Sequence, residues 1–346
     1  MKTVDRHRRS PAIALGFVFS MAVAADGPKP VAYVSNQEGG VTVIDLERME
    51  KVREIDVGGR GPRGIGITDD GGLLVTANKD TADVSIIDTR SYRVLHRIPI
   101  GKNPEFARVY GKRAHVTYEP GVEDGPSAPG QKVIGPPAAI AVIDLARGVV
   151  AQTLPSGQEA EGTEFSPDGK RMLVANEGDN TIAVYDTGSG ERTETIRIES
   201  HGERPRGIKR SPDGRYYAVA LEFSAKLLLL DPDLQAIKTV PTGASPYGMA
   251  FDRDGKRLFV VAARAKALEA LEAKTFAKIA AVPIGERCWH FTFTPDYNRI
   301  LVACGRSHEI RVIDAERYTT LEILGGFKLP WGVVTFPKAS GSLDAP

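Results

Sequence analysis

Residues 161–186 read EGTEFSPDGKRMLVANEGDNTIAVYD. A short run ends in the turn Ser166-Pro167-Asp168-Gly169, where Pro and Asp preset the bend and Gly tolerates positive φ. The alternating strand Arg171-Met172-Leu173-Val174-Ala175-Asn176 follows, then a second one, Ile182-Ala183-Val184-Tyr185-Asp186. Alternation at period 2 with a turn signal between runs is the mark of β-structure.

The same unit recurs along the chain. Its Asp-ended strand appears at Val41–Asp45, Val84–Asp88, Ile140–Asp144, Ile182–Asp186 and Leu227–Asp231, degrades at Ala267–Glu272, and returns at Ile310–Asp314. That makes seven copies, spaced from Asp45 by 43, 56, 42, 45, 41 and 42 residues. A Pro-x-Gly step precedes each unit, as at Pro62-Arg63-Gly64, Pro205-Arg206-Gly207, Pro246-Tyr247-Gly248 and Pro330-Trp331-Gly332. Variants are Pro104-Glu105-Phe106, Glu161-Gly162-Thr163 and Cys288-Trp289-His290. Four short strands per period of about 42 residues predict a propeller blade. The expected fold is therefore all-β, a seven-bladed β-propeller of four-stranded blades over residues 26–337. The chain enters at Val31–Asn36 as a second strand and finishes at Gly332–Phe336 as a first strand, so the C-terminal strand should close the N-terminal blade. The 56-residue spacing places a Gly- and Pro-rich insertion at 118–137 in the third blade, expected to be a lid or docking loop. Residues 338–346 form a C-terminal tail.

Lys2, Arg6, Arg8 and Arg9 precede an apolar run from Ala12 to Ala22, and Ala22-Val23-Ala24 is a cleavage site of the A-x-A kind. Residues 1–25 thus read as a secretory signal peptide, which predicts a periplasmic protein. No later stretch reaches membrane-spanning length. Lys and Arg number 45 against 44 Asp and Glu. Such a balance supplies no long-range field to gather nucleic acid or anionic lipid.

The strand Val31-Ala32-Tyr33-Val34-Ser35-Asn36, the Ser-Pro-Asp-Gly turns and the Gly-x-x-Pro-x-Gly steps resemble the YVTN-type β-propeller repeat family. Gly285 to His290, Pro330 to Val334 and Gly341 to Pro346 are similar to a bacterial subgroup associated with pyrroloquinoline quinone (PQQ)-dependent alcohol catabolism. The resemblance implies a functional setting and no catalytic residue.

In a propeller the first strand of each blade lines a central channel, and the loops before it open on one face together with those after the second strand. The middles of the steps converge there. Arg63 and Arg206, with Arg264 and Arg306 from the second set of loops, would make a cationic rim, suited to carboxylates or phosphates. Tyr247, Trp289 and Trp331, with His290, would give a flat wall for a planar ligand. The Asn residues that follow second strands, Asn36, Asn78 and Asn176, and the blade-ending Asp residues read as turn-formers.

Cys288-Trp289-His290 departs furthest from the repeat. Strand pairing sets Cys288 and Trp289 opposite Gly305 and Cys304. A cross-strand disulfide, two buried thiols, and a copper or zinc site of Cys288, His290 and Cys304, with His308 nearby, are all open.

No G-x-S-x-G elbow, P-loop, dinucleotide fingerprint or C-x-x-C-H haem attachment occurs. The leading expectation is a non-catalytic binding or accessory propeller serving a PQQ-linked oxidation, with a protein partner or a small planar or anionic ligand. The first alternative is a redox-associated protein holding a metal or a tetrapyrrole against His290, Arg63 and Arg206, by analogy with the haem domain of dissimilatory nitrite reductase. The second is a propeller lactonase, whose central Ca²⁺ would draw on Glu105, Glu161, Glu164, Asn176 and Glu222, although arginines at the same positions oppose a cation.

Overall fold

A computed structural model describes Met1 and residues 29–119 and 137–344. The expected signal peptide, Met1 aside, and most of the third-blade insertion lie outside the described residues.

Among the described residues, twenty-eight strands pair into seven antiparallel sheets of four strands each. Besides strands, the described residues form only three short 3₁₀ turns, Lys79–Thr81, Glu222–Ser224 and Gly305–Ser307. No helix among them is long and apolar enough to cross a membrane. The blades follow the predicted unit. In the fourth, Ala160–Phe165, Arg171–Asn176, Thr181–Asp186 and Arg192–Arg197 run from the centre outward. Its innermost strand, Ala160–Phe165, is buried throughout, whereas Arg192–Arg197 is exposed along almost its whole length. The core therefore lies between blades, where apolar residues of one sheet meet the next.

Closure is as expected. Pro330–Phe336 pairs with Val31–Asn36, and the first blade is built from both chain ends. That leaves no unpaired edge between the first and last blades.

The blade-ending aspartates fix their turns: the Asp144 carboxylate accepts the N–H groups of Ala146 and Arg147, both at 3.0 Å. Asn176 accepts from Ser156 Oγ at 2.7 Å and donates to Thr181 Oγ1 at 3.0 Å, so it belongs to the scaffold. Asn36 and Asn78 likewise spend their amides within their own blades.

The Pro-x-Gly step is a β-bulge. In the fifth blade Pro205 pairs with Leu221 and Ile208 with Val219, leaving Arg206 and Gly207 opposite Ala220 alone. The same shift occurs at Pro62, Ala160, Pro246 and Cys288. A bulge re-aims its extra side chain, and here it turns residue x toward the channel mouth. The glycine lets neighbouring blades touch. A Cβ on Gly162 would stand 2.5 Å from Arg206 O, and one on Gly248 2.6 Å from Trp289 O.

In the last blade the bulge corrects the expected register. Trp289 is the extra residue, so Cys288 falls opposite Cys304 rather than Gly305, and the two form a disulfide. That excludes the proposed metal site of Cys288, His290 and Cys304, because a disulfide offers no thiolate. His308 is engaged elsewhere: its Nδ1 accepts the Leu329 N–H at 3.2 Å.

The C-terminal segment enters the channel from the face of the Ser-Pro-Asp-Gly turns, the lower face. Ser342, Leu343 and Asp344 are buried. Leu343 packs with Ile65, Phe106 and Trp331. Its carbonyl accepts from Arg108 at 3.0 Å, and that of Asp344 from Lys209 at 3.2 Å.

Candidate functional site

The opposite, upper mouth holds a cavity of about 220 Å³. Residues x of the steps reach it as predicted: Arg63, Glu105, Glu161, Arg206, Tyr247, Trp289 and Trp331 all line it. Glu119 and Glu177 come from the loops after second strands.

Four further lining residues, Asn103, Glu159, Arg204 and Arg287, escaped the sequence reading. Each stands just before an inner strand or its step, in the left-handed conformation that Gly61 adopts in the second blade. That conformation lifts the side chain over the rim. Alignment of the seven steps on Gly61 would have exposed the column.

Acids and bases interlock across the mouth. Arg206 Nε donates to Glu222 at 2.7 Å, and its NH1 pairs with both Glu161 and Glu177. Arg63 NH1 pairs with Glu105, and its Nε donates to Gln37 at 2.9 Å. Arg204 pairs with Glu177 and reaches Glu159 at 3.5 Å. The Arg206 guanidinium lies 4.8 Å from the Tyr247 ring and that of Arg287 5.4 Å from the Trp289 ring.

Charge state follows from this crowding. Glu161 is packed between the Arg206 guanidinium and the Glu105 and Glu222 carboxylates, where a buried carboxyl resists ionisation. Burial raises the Glu161 carboxyl to about 8; Arg206 pulls it down and Glu105 pushes it up. Burial opposes the charge of Arg206, yet Glu161 and its neighbours hold the guanidinium above its ordinary value. Burial also raises Glu119.

Two expectations are corrected here. The arginines make no cationic rim. Arg63 and Arg206 are neutralised by glutamates, while Arg264 and Arg306 are exposed and stand outside the cavity. With Glu222, six carboxylates meet four guanidiniums around the mouth among the described residues. The aromatic wall is hidden as well: Trp331 is 1% exposed, Tyr247 6% and Trp289 9%.

His290 is below the mouth and buried, its ring 4.3 Å from that of Trp331. Its Nδ1 lies 3.0 Å from Ser342 Oγ. Burial, then Lys209 and Arg206, hold the imidazole well below its ordinary value, hence neutral. His290 is not among the described residues that line the mouth.

A central cation fits no better. Glu105, Glu161 and Glu222 face arginines, and the Arg206 guanidinium occupies the middle of their group. Glu164 lies toward the lower face, between Arg108 and Lys209. No group of three or more His, Cys, Asp or Glu among the described residues is placed to hold a metal.

Comparison with known proteins agrees with the architecture. The profile of the family "Lactonase, 7-bladed beta-propeller" matches residues 143–235. The chain is a seven-bladed β-propeller. It is 31% identical over 153 residues to the seven-bladed beta-propeller protein Rv1057 of Mycobacterium tuberculosis, a match covering 42% of this chain and 35% of that protein. The chain thus spans about a third of the length of that relative. Among solved structures, the periplasmic gluconolactonase PpgL of Pseudomonas aeruginosa superposes with a TM-score of 0.71 at 17% identity, over 88% of this chain and 98% of that one. Hydrazine synthase of Kuenenia stuttgartiensis superposes with a TM-score of 0.69 at 21% identity, over 86% and 99%. At such identities the structural likeness shows the fold alone.

Proposed function

We propose that this chain is a periplasmic binding propeller, exported by the signal at residues 1–25, whose upper mouth takes a small, uncharged, hydroxyl-rich ligand such as a sugar or sugar lactone. The observation that carries this is the interlocked ring of glutamates and arginines around Arg206. A hydroxyl both donates and accepts. Vicinal hydroxyls are therefore matched by carboxylates alternating with guanidiniums. The excess of carboxylates disfavours an anion, and the cavity's small volume disfavours a tetrapyrrole. The resemblance to YVTN propellers of PQQ-linked alcohol catabolism supports an accessory role beside an oxidation system that handles such hydroxyl compounds.

The test is a thermal-shift and calorimetric titration of the mature protein with glucose, glucono-1,5-lactone, gluconate and 6-phosphogluconate. Saturable stabilisation by the neutral compounds, weaker with the anions and lost in Glu161→Gln, is the expected result. Tighter binding of the phosphorylated acid, or no binding by any, would overturn the reading.

A second reading is hydrolysis of the lactone at the same mouth. It is favoured by the lactonase profile, because the matched segment contributes Glu161, Glu177, Arg204, Arg206 and Glu222. A carboxyl raised to about 8, as at Glu161, is suited to holding and returning a proton near neutrality. Acid release from glucono-1,5-lactone above the buffer rate, abolished in Glu161→Gln, would establish it.

A further inference from the structure

We propose that the lower mouth is a second binding site, for a small organic anion: a carboxylate or phosphate on an apolar body, held by Arg210 and Arg253 beside the C-terminal segment.

A cavity of about 520 Å³ opens there, more than twice the volume of the upper one. Pro212, Phe251 and Tyr297 give it an apolar side. Its three lining carboxylates are already engaged. Glu164 lies 3.4 Å from Arg108 and 3.7 Å from Lys209. Asp344 lies 3.5 Å from Arg108 and 3.2 Å from Lys338. Asp252 lies 2.8 Å from Arg257.

Arg210 and Arg253 line the same cavity, and among the described residues neither has a carboxylate within ion-pair reach. Each gives one N–H to a carbonyl: Arg210 Nε to Phe165 O at 3.2 Å, and Arg253 NH2 to Pro295 O at 2.8 Å. Those single bonds fix each fork in place, and a guanidinium carries five donors. Arg253 is further oriented by the Tyr297 ring, 4.4 Å from its guanidinium carbon. A second cavity, of about 450 Å³, is also lined by Arg210, so that guanidinium is reached from two sides.

The surrounding field is short of negative charge. Lys209 is 5% exposed. Burial and then Arg108 push its ammonium down to about 7, although Glu164 and Asp344 pull it back up. A bound anion would supply what is missing. The chain already uses this region for a carboxylate, since Asp344 seats its own between Arg108 and Lys338.

The test is isothermal titration of the mature full-length protein at low ionic strength with benzoate and with inorganic phosphate, against a chloride control. Saturable binding of either probe, weakened at least tenfold in both Arg210→Gln and Arg253→Gln and unchanged in Arg306→Gln, supports the site, and the tighter probe tells carboxylate from phosphate. Thermal midpoints of the variants check their folding, and Arg253, being exposed, can be changed without disturbing the core. The proposal is overturned if neither probe binds saturably, or if binding ignores both substitutions. A neutral sugar bound at the upper mouth should not displace benzoate, so the outcome is independent of the ligand proposed there.

Discussion

Ser342 Oγ lies 3.0 Å from Nδ1 of His290, inside the channel of the propeller. The same hydroxyl also meets the Phe291 N–H at 3.0 Å. Ser342 thus binds an inner strand of the seventh blade, shortly after Pro330–Phe336 has closed the first. This contact makes the tail part of the core and divides the channel into an upper and a lower mouth. The two differ in chemistry: glutamates exceed arginines above, and arginines without carboxylate partners stand below.

Leu343 should therefore behave as a core residue. It is fully buried against Trp331 and Ile65. Leu343→Ala is expected to cost about 2–5 kcal/mol, the range for deleting a buried leucine side chain. Equilibrium urea unfolding measures it, with an unchanged m-value showing that the midpoint reports stability. A loss under about 1 kcal/mol would mean that the tail leaves the channel in solution.

Arg206, in the step of an inner strand, and Arg306, in the turn after a second strand, should respond very differently. Removing the Arg206 guanidinium leaves Glu161, Glu177 and Glu222 without their shared partner. Breaking a buried ion pair from one side typically costs about 3–5 kcal/mol. Arg206→Ala should lower the unfolding midpoint accordingly, and Glu161→Gln placed in that background should recover part of the loss. Arg306 is exposed, and Arg306→Ala should leave the midpoint in place.

The blade count, the strand order and the closing strand were legible because each rests on a local repeat: the Asp-ended strand, the Ser-Pro-Asp-Gly turn and the Pro-x-Gly step. The convergence of Arg63, Glu105, Glu161 and Arg206 on one mouth followed from the same repeat. Their pairing did not, because it depends on side chains about 45 residues apart meeting across blades. Read alone, Arg63 and Arg206 promised a cationic rim; read with their partners they are neutralised. The disulfide depended on the bulge at Trp289, which shifts the register by one residue. The burial of Leu343 and Asp344 had no signal, since the tail carries no periodicity and its partners Arg108 and Lys209 come from distant blades.

The Cys288–Cys304 bond closes a loop of 16 residues. In the chain-entropy account a loop of that length stabilises the fold by about 3 kcal/mol. The double substitution Cys288→Ser with Cys304→Ser should lower stability by roughly that amount. Thiol titration of the denatured, unreduced protein should find no free cysteine. Two reactive thiols would instead return the reading of two buried, unpaired thiols.

Glu161 sets a pH dependence whose sign can be worked out. Its folded value of about 8 lies above its ordinary value of 4.5, so the folded chain holds more protons than the unfolded one between those limits. Stability then falls as pH rises through that window, and the contribution is fully present only below 4.5. Glu161→Gln removes the titrating group. The difference in unfolding free energy between variant and wild type should therefore shift in the variant's favour from pH 5 to pH 8. Parallel urea titrations at those two pH values measure it. A difference that stays constant would place Glu161 fully ionised across the range, and with it the proton that the hydrolytic reading assigns to this carboxyl would be gone.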